Sequence, residues 1–472
     1  MISVADMKIL EDNSEEYGVS KDILMENAGA AVADYLAGNH PGANILFICY
    51  HGNNGGDGFV AARHLSKKGA SVTVLFAGDK KKLKTAAKTN YSRLSPQMIT
   101  SDAKLSFADY DVVVDALLGT GASGPLHKPL DQLVLNFNAS RAYKVSLDIP
   151  TGIEPDTGVR GELYAKPDIT LSFHDLKPGL RGLRARVLDI GIPPECAGII
   201  GIGDLRAVIR KRKPDAHKGD SGRVLIVAGS DDYPGAAYLA SRACAALRCG
   251  TDLVTIAAPE KVAWAINCLC PDLITVKLSG HYISSGHKKQ IMQLLTRSNT
   301  LLIGPGIGKR TETADVIRYL ARHSISKVID ADAIHFVSVK NTQNAIITPH
   351  AKELKILCKN SGVAFRSPQA LQPHLKNNIL LLKGPEDIII GRNKVKHNRT
   401  GNPGMTVGGT GDVLAGMAAG FLSQGSDPFL CASAAAYLNG KIGDSLARKL
   451  GNGLIASDFL SEIAKVINNA TI

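Results

Sequence analysis

Two glycine-rich segments that carry carboxylates are the parts of this sequence most able to do chemistry. The first, HGNNGGDGFVAARHL, covers residues 51–65, and the second, GNPGMTVGGTGDVLAG, covers residues 401–416. Glycine lets backbone amides approach an anion, and the helix that follows adds the positive end of its dipole. Both segments therefore predict anion-binding turns. An acidic residue, Asp57 or Asp412, stands in each where the helical pattern begins.

Asp412 has two interpretations. A carboxylate beside a bound phosphate is repelled by it, so its presence favours a base that acts on a hydroxyl group attacking phosphorus. An ordinary helix-capping aspartate after a glycine turn explains the same pattern. The residues alone leave both interpretations open.

Polar residues at the ends of neighbouring predicted strands form a second group. Asp115 lies in DVVVDALLGTG, and Asp148 and Thr151 lie in VSLDIPTG. Asn54, Asp115 and Thr151 could together supply oxygens to a hard monovalent cation, which leaves Asp148 for a substrate. Turn-forming Asx and Thr residues explain any one of these positions, but explain the set less easily.

Three other motif matches are weak. GPGIGKRT at 304–311 lacks the four-residue gap and the Ser or Thr of a Walker loop. GTGASG at 119–124 fits GxGxxG, but Pro125 and Pro129 delay the following helix, so it is not a normal dinucleotide-binding turn. GDSG at 219–222 resembles a serine-protease loop, and the α/β context argues against that function.

Short runs of Val, Ile and Leu alternate with helical patterns along the chain, which predicts an α/β fold with parallel sheets wrapped by helices. The predicted strands of the first half are residues 44–50, 71–77, 111–117 and 143–149. Those of the second half are residues 223–230, 251–259, 299–308, 327–333, 344–350 and 377–384. A charged break at 203–222 separates the halves, and a hairpin at 387–398 and three helices close the chain.

Length and composition indicate a compact protein of two domains. The chain has 472 residues, a length that exceeds what one hydrophobic core usually supports. Of these residues 44% are hydrophobic and 21% are charged, which is typical of a compact protein. The net charge of +12 raises the possibility of nucleic-acid binding. The cations are dispersed, however, and no aromatic residues interleave with them, so no nucleic-acid partner is expected.

Cysteine usage and the N-terminus indicate a cytoplasmic protein. The eight cysteines form no CxxC pair and are expected to be buried and reduced. The N-terminal residues are acidic and lack an apolar signal core. No run reaches the roughly 18 apolar residues that a membrane span needs, so no membrane partner is expected.

These motifs together resemble the NAD(P)H-hydrate repair enzymes. Residues 24–190 are similar to the epimerase half, through LMENAGAAVADYL, GNNGGDGFVAARHL, VVDALLGTGASGPL, SLDIPTGIEPDTG and LSFHDLKPGL. Residues 217–466 are similar to the dehydratase half, through HKGDSGRVLIVAGS, LIGPGIG, VIDADAI, TPHAKEL, LLLKGPEDIII and NPGMTVGGTGDVLAG. The resemblance implies two three-layer α/β domains, a Rossmann-like epimerase domain at 1–208 and a ribokinase-like dehydratase domain at 209–472.

The resemblance also implies the residues of the first site. The hydrated dinucleotide, NADHX or NADPHX, would be bound by Asn53, Asn54, Gly55, Gly56, Asp57, Gly119, Thr120, Gly121, Ala122, Ser123, Gly124, Pro125 and Asp148. Potassium (K+) would be held by Asn54, Asp115 and Thr151. Asp148 would be the catalytic group that interconverts the R and S epimers at C6 of the nicotinamide ring.

For the second site, the resemblance implies a substrate pocket and a nucleotide loop. The substrate would contact Ala237, Gly306 or Gly308, His350 and Asp412. The adenine nucleotide would contact Lys383, Gly384, Pro385, Glu386, Asp387, Gly408, Gly409, Thr410 and Gly411. Asp412 would help the C6 hydroxyl of the S epimer attack the terminal phosphoryl group, and phosphate would then leave to restore the reduced ring. The fused architecture favours ADP over ATP as the donor, with Mg2+.

Two other functions are compatible with parts of the sequence. Vitamin and sugar kinases share the fold of the second domain and its GTGD pattern, but generally lack the first domain. A binding or scaffold protein would be indicated by loss of Asp148 or Asp412, and both are present. The resemblance further implies a homo-oligomer.

Overall fold

The computed structural model describes residues 1–102, 105–121, 124–244 and 249–471. Its contacts divide the chain into two compact units, Met1–Cys196 and Ala197–Ile472. The sequence placed the boundary after residue 208, whereas residues 197–208 pack with the second unit. The reason is that Leu205 and Val208 of a short helix are buried in the core of that unit.

The first unit is built on a parallel sheet. Its strands among the described residues are β1 (Asn44–Cys49), β2 (Ser71–Phe76), β3 (Ile99–Thr100), β4 (Val112–Ala116), β5 (Tyr143–Leu147), β6 (Ile169–Phe173) and β7 (Ala185–Leu188). Its helices are α1 (Val4–Ser14), α2 (Lys21–Asn39), α3 (Asn53–Lys67), α4 (Thr85–Ser92) and α5 (Leu130–Ala139). The strand order is β3-β2-β1-β4-β5-β6-β7. The order reverses between β1 and β4, and open α/β sheets bind ligands at such a point.

The second unit has a larger mixed sheet. Its strands among the described residues are β8 (Arg223–Val227), β9 (Leu253–Pro259), β10 (Ile274–Leu278), β11 (Thr300–Ile303), β12 (Ser326–Ile329), β13 (Ala345–Ile347), β14 (Ile379–Leu382), β15 (Asp387–Ile390) and β16 (Val395–Asn398). The order is β10-β9-β8-β11-β12-β13-β14-β15-β16. Pairing is parallel from β10 to β14, and β14, β15 and β16 pair antiparallel.

Helices cover both faces of this second sheet. After a short helix α6 (Glu195–Gly198), they are α7 (Ile202–Val208), α8 (Pro234–Cys244), α9 (Glu260–Leu269), α10 (Lys288–Leu295), α11 (Thr311–Arg322), α12 (Ala351–Asn360), α13 (Thr410–Ser423), α14 (Pro428–Leu450) and α15 (Ala456–Thr471). Ile226 and Val227 are neighbours in β8 and belong to two different hydrophobic cores. Ile226 packs in the core that includes α13 and α14, and Val227 packs in the core that includes α11 and α12. Helices therefore flank the sheet in a three-layer arrangement.

The predicted α/β fold, the hairpin and the three closing helices are confirmed. The sequence missed four strands, β3, β6, β7 and β10, and the predicted break at 203–222 contains most of α7. None of the eight cysteines forms a disulfide bond, and Cys268 is exposed rather than buried. No helix in the described ranges is both long enough and apolar enough to span a membrane.

Candidate active sites

The glycine-rich segment of the first unit brings the start of α3 against the end of β1. A Cβ atom added to Gly55 would lie 1.9 Å from the carbonyl oxygen of Tyr50, and one added to Gly56 would lie 2.7 Å from the side chain of Met25. No side chain fits at Gly55, so this glycine allows the helix N-terminus to lie close to the strand end. At Gly56 an added side chain would displace the end of Met25. The N–H groups of the first turn lack partners within the helix and are available for an anion.

A buried carboxylate, that of Asp115, organises the end of β4. It accepts hydrogen bonds from the hydroxyl group and backbone N–H of Thr151, at 2.7 and 3.0 Å. It also accepts from Ser146 Oγ at 2.8 Å and from the N–H of Leu117 at 3.2 Å. Burial raises the pKa of Asp115, and these four bonds oppose that rise by favouring the ionised form. The structure thus brings Asp115 and Thr151 into direct contact.

Asn54 lies in the same group of oxygens. Its side chain is buried beside Gly119, and its Nδ2 is 3.4 Å from the carbonyl oxygen of Leu147. Its Oδ1 is buried and has no hydrogen-bond partner among the described residues. A buried amide oxygen without a donor, close to the strand ends that carry Asp115 and Thr151, has the chemistry of a ligand for a hard cation. The donor set therefore fits potassium.

Asp148 is paired with a residue that the sequence did not single out, Lys177. The Lys177 side chain is almost fully buried, and its Nζ lies 2.5 Å from Asp148 Oδ1 and 2.9 Å from the carbonyl oxygen of Phe173. Asp148 itself has a positive φ of 63°, which is uncommon outside glycine and clusters at functional sites. The pair places one proton acceptor and one proton donor side by side after β5.

Two further carboxylates interact with this pair. Burial raises the pKa of Asp57 well above its usual value, and the charges of Asp148 and Glu11 raise it further. Burial, with the charge of Asp148, also raises the pKa of Glu11 to about 7. Lys177 opposes both shifts. Lys21 also lowers the pKa of Glu11, more strongly than Lys177 does. Three carboxylates thus lie within the influence of Lys177, and this cluster can hold an exchangeable proton near neutral pH.

The loop after β4 forms the other predicted wall of this site. Gly119 and Thr120 are partly buried and Gly121 is exposed. Gly124 has a φ of 95° and is followed by the exposed Pro125. A cavity of about 240 Å³ is lined by Gly119, Gly124 and Thr151, among other residues. Two further predicted contacts of the loop, Ala122 and Ser123, lie outside the described residues.

The second glycine-rich segment forms a tight turn before α13. Gly409 has a φ of 97°, and an added Cβ would lie 2.6 Å from Leu239 Cδ1. No described atom lies within 4 Å of a Cβ built on Gly408, so the backbone there can be approached closely. The Thr410 hydroxyl donates to the carbonyl oxygen of Met405 at 3.0 Å, which closes the turn. The predicted anion-binding stretch is thus a rigid turn at a helix N-terminus.

Asp412, in the first turn of α13, belongs to a charged cluster. Lys383 Nζ donates to Asp330 Oδ1 at 2.8 Å, and a Cβ on Gly411 would lie 3.4 Å from the same Nζ. Burial raises the pKa of Asp412 to about 7, with contributions from the charges of Asp330 and Asp332, while Lys383 lowers it. Burial lowers the pKa of Lys383, but its carboxylate neighbours raise it more. Lys383 is therefore a fixed cation beside a carboxyl group that titrates near neutrality.

The predicted substrate glycines lie at the end of β11. Gly306 has a φ of 61°, and a Cβ there would lie 2.5 Å from the carbonyl oxygen of Tyr233. Gly308 has a φ of 81°, and its N–H donates to Asp332 Oδ2 at 3.1 Å. Asp330 and Asp332 belong to one loop, so this loop connects the glycines to the Lys383 cluster. Neither aspartate was singled out from the sequence.

His350 and Ala237 occupy different environments. His350 caps α12, with its Nδ1 accepting from the N–H groups of Lys352 and Glu353, and half of its side chain is exposed. It pairs with Lys383 in an isolated bridge, which puts it beside the same cluster. Ala237 is fully buried and packs near Gly229, so its side chain is covered by the protein.

Residues 383–387 form the turn between β14 and β15. Glu386 is paired with Arg399 at 2.8 Å and with His397 at 3.1 Å. Asp387 accepts from the N–H of Gly384 and from Asn398 Nδ2, each at 3.1 Å. These two carboxylates fix the hairpin, and Gly384 and Pro385 are exposed at its tip. Within the predicted stretch, only Lys383 reaches the charged cluster around Asp412.

Comparisons with known proteins agree with this division of the chain. Residues 224–465 match a family model described as NAD(P)H-hydrate dehydratase, and residues 21–179 match one described as YjeF-related protein N-terminus. Bifunctional NAD(P)H-hydrate repair enzymes from Pyrobaculum aerophilum and Archaeoglobus fulgidus are 38% and 40% identical to this chain, and each alignment covers 99% of this chain and 98% of the relative. The chain belongs to the family of bifunctional NAD(P)H-hydrate repair enzymes.

Solved structures support the fold of the second unit. A ribokinase-like superfamily protein from Enterococcus faecalis V583 is 25% identical, with a TM-score of 0.51. The alignment covers 58% of this chain and 96% of that protein. The second unit is therefore a ribokinase-like domain of a repair enzyme, with Asp412 at the start of the helix after its glycine turn.

Three charged residues missed from the sequence had a visible signal. Asp330 and Asp332 lie in VIDADAI, at the end of a strand, as the aspartates that were singled out also do. Lys177 lies in FHDLKPGL, within a stretch that carries the family resemblance, but lysines are usually exposed and this one is not. Only the fold shows that Lys177 is buried against Asp148 and Asp330 against Lys383. The partly buried Asp332 acts on Asp412 through its charge.

Proposed function

We propose that the two units repair hydrated nicotinamide cofactors in succession, with Asp148 and Lys177 epimerising NADHX and NADPHX and Asp412 dehydrating the S epimer. The observation that carries the proposal is that a lysine ammonium lies near each aspartate at the carboxyl edge of a sheet. Lys177 is hydrogen-bonded to Asp148, and the partly buried Lys383 acts on Asp412 through its charge. Such a pair provides acid, base and charge stabilisation in one place.

For epimerisation, we infer a reversible ring opening. The Asp148 carboxylate accepts the proton of the C6 hydroxyl while Lys177 donates a proton to the ring nitrogen. The C6–N bond breaks, leaving an aldehyde at C6 and an amine nitrogen. Rotation about the neighbouring bond and closure on the other face, with both protons returned, give the opposite epimer. No atom is gained or lost.

For dehydration, Asp412 accepts the C6 hydroxyl proton as that oxygen attacks the terminal phosphorus of ADP. The bond from phosphorus to the leaving oxygen breaks, and AMP departs. Lys383 and the N–H groups of the Gly408–Gly411 turn offset the negative charge on the phosphoryl oxygens. The ring nitrogen then pushes its electron pair toward C6, the C6–O bond breaks and phosphate leaves. Loss of a proton from C5 restores the dihydropyridine.

Two cations complete the proposal. Asn54, Asp115 and Thr151 would hold potassium, which would supply a fixed positive charge beside the first site. The unpartnered Asn54 oxygen supports this assignment. Mg2+ would accompany the nucleotide phosphates in the second site. ADP rather than ATP as the donor, a cytoplasmic location and a homo-oligomeric state remain predictions from the family resemblance.

A small-molecule kinase is the alternative, since it would use the same turn and base. The two functions differ in their products. The repair reaction releases one AMP and one phosphate for each reduced nicotinamide formed from ADP, whereas a kinase keeps phosphate on a stable alcohol. We expect equal amounts of AMP, phosphate and NADH when the S epimer of NADHX is incubated with the protein and ADP. A phosphorylated substrate without free phosphate would overturn the proposal.

A further inference from the structure

A run of lysines follows β2 and has no role in the chemistry above. Lys80, Lys81, Lys82 and Lys84 are exposed, and none forms an ion pair with a carboxylate in the described part of the chain. Asp79 binds the backbone N–H of Lys81, which shapes the turn without engaging an ammonium group. Lys80 Nζ lies 5.3 Å from the centre of the Tyr91 ring, a contact that does not neutralise its charge. Four cations within five residues, none paired with a carboxylate among the described residues, favour an anionic ligand.

This lysine run lies beside the glycine-rich loop of the first unit. β1 and β2 are parallel neighbours, so the loops that follow them leave the same edge of the sheet. The N–H of Ala77 donates to the carbonyl oxygen of Cys49 at 3.0 Å, and a Cβ on Gly78 would lie 2.8 Å from the backbone nitrogen of His51. The start of the lysine segment therefore contacts the start of the predicted substrate loop.

His51 connects the two loops electrostatically. Its Nδ1 is buried and has no hydrogen-bond partner among the described residues. Burial lowers the pKa of His51, and the charges of Lys82 and Lys84 lower it further against the opposing charge of Asp79. Lys82 and Lys84 are thus close enough to act on groups in the loop, and Lys80 and Lys81 belong to the same short segment. The unpartnered ring nitrogen marks a polar contact that the protein itself does not fill.

The order of the strands suggests which part of the substrate comes here. Asp148 follows β5, the N-terminus of α3 follows β1, and the lysines follow β2. From β5 to β2 there are three strand spacings, or about 14 Å. If the reacting ring lies at Asp148 and the pyrophosphate at the start of α3, the adenosine extends toward β2. Dinucleotide-binding sheets recognise the 2′ position of the adenosine ribose in this region.

We propose that Lys81 and Lys82, supported by Lys80 and Lys84, bind the 2′-phosphate of NADPHX and make the first unit prefer NADPHX over NADHX. This inference rests on the proposed epimerase function of the same unit. NADHX has a hydroxyl group where NADPHX has this phosphate, so the lysines would discriminate between the two substrates without touching the reacting ring.

The test uses the full chain without nucleotide, so that only epimerisation is observed. Each pure S epimer is mixed with the protein, and the R epimer is followed by chromatography. We expect the double variant Lys81→Ala/Lys82→Ala to lose about tenfold in kcat/KM for NADPHX, as two exposed charge contacts can provide. Its kcat/KM for NADHX should stay within about twofold of the unchanged protein.

The matched control is Lys67→Ala/Lys68→Ala, which removes the same charge from exposed lysines at the far end of α3. We expect this variant to keep the wild-type ratio of the two kcat/KM values. An equal loss for both substrates would overturn the inference, because the lysines would then act on a group common to both. No change for either would also overturn it. A wild-type chain that epimerises neither substrate would instead refute the proposed epimerase function.

Discussion

The ammonium group of Lys177 lies 2.5 Å from Oδ1 of Asp148, and both side chains are buried. A buried ion pair contributes little net stability, because desolvation offsets the attraction. Its presence therefore points to chemistry more than to folding, and the positive φ of Asp148 indicates the same. The second unit differs, because Lys383 pairs with Asp330 and acts on Asp412 only through its charge.

Replacing Lys177 by methionine tests the first pair. Lys177→Met leaves a buried carboxylate without its partner, so we expect a loss of stability of about 3 kcal/mol. We also expect epimerisation to fall by about 100-fold or more, because the proton donor is gone. Denaturant unfolding and epimer exchange measure these effects. Adding Asp148→Asn should recover much of the stability but none of the activity; recovery of both would contradict a catalytic role.

Replacing Asp412 by asparagine should stop dehydration and leave epimerisation intact. The amide keeps the size of the side chain but cannot accept the hydroxyl proton, so we expect kcat to fall about 1,000-fold. Epimer exchange in the same preparation serves as an internal control for folding. Asp315→Asn, on the exposed surface of α11, is a matched control that should change neither activity. A kcat for dehydration by Asp412→Asn within tenfold of the wild-type value would rule out Asp412 as the catalytic base.

The raised pKa of Asp412 predicts two pH dependences. The base must be ionised, so kcat/KM for dehydration should fall as the pH drops through about 7, the pKa of this carboxyl group. Since the folded pKa lies above the unfolded value, the stabilisation by the neutral form is full at low pH and is lost as the pH rises through 7. Asp412→Asn should therefore raise the melting temperature more at pH 8 than at pH 5. An equal change in melting temperature at pH 8 and pH 5 would contradict the raised pKa of Asp412.

The unpartnered oxygen of Asn54 predicts dependence on potassium. Exchange of potassium for a large organic cation should lower epimerisation and leave dehydration unaffected. Asn54→Ala should require more potassium for half-maximal epimerisation, because one ligand oxygen is removed. Asn54→Asp keeps an oxygen at this position, so its epimerisation should still be activated by potassium. Titration of activity with potassium chloride at constant ionic strength measures this. A wild-type rate independent of potassium would refute the site.

Substitutions at the adjacent Gly408 and Gly409 should distinguish effects on stability from effects on nucleotide binding. Gly409→Ala combines a positive φ with a contact of 2.6 Å to Leu239, so we expect a loss of about 1–3 kcal/mol in unfolding free energy. Gly408→Ala meets no described atom within 4 Å and should fold normally, but its methyl group obstructs approach to the turn. We therefore expect Gly408→Ala to raise the KM for the nucleotide with little change in stability. The opposite assignment of effects would contradict the observed geometry of the turn.

Much of the fold follows from the alternation of apolar strands with helices. The buried strands β1, β4 and β11 were readable because most of their positions are apolar. β10 was not, because it lies at the edge of the sheet and only its last residue, Leu278, is fully buried. The segment around α7 carries dense charge, which masked the few apolar residues that attach it to the second core.

The site was predictable where glycine and aspartate mark strand ends, and not where partners come from distant sequence. Asp148 and Asp412 stand out by position. Lys177 and Asp330 acquire meaning only from their contacts with Asp148 and Lys383, which lie 29 and 53 residues away in the chain. The turn contacts of Glu386 and Asp387 were likewise invisible, because their partners lie on the next strand. Pairing of side chains across strands requires the register, which local patterns do not contain.

The most direct test follows the near-ultraviolet absorbance of reduced nicotinamide. The purified chain is mixed with an R and S mixture of NADHX, potassium and Mg2+, and ADP or ATP is added separately. We expect full recovery of absorbance with ADP, beyond the S fraction and faster than spontaneous epimerisation allows. Recovery that stops at the S fraction would contradict an active first unit, and no recovery with either nucleotide would contradict the dehydratase.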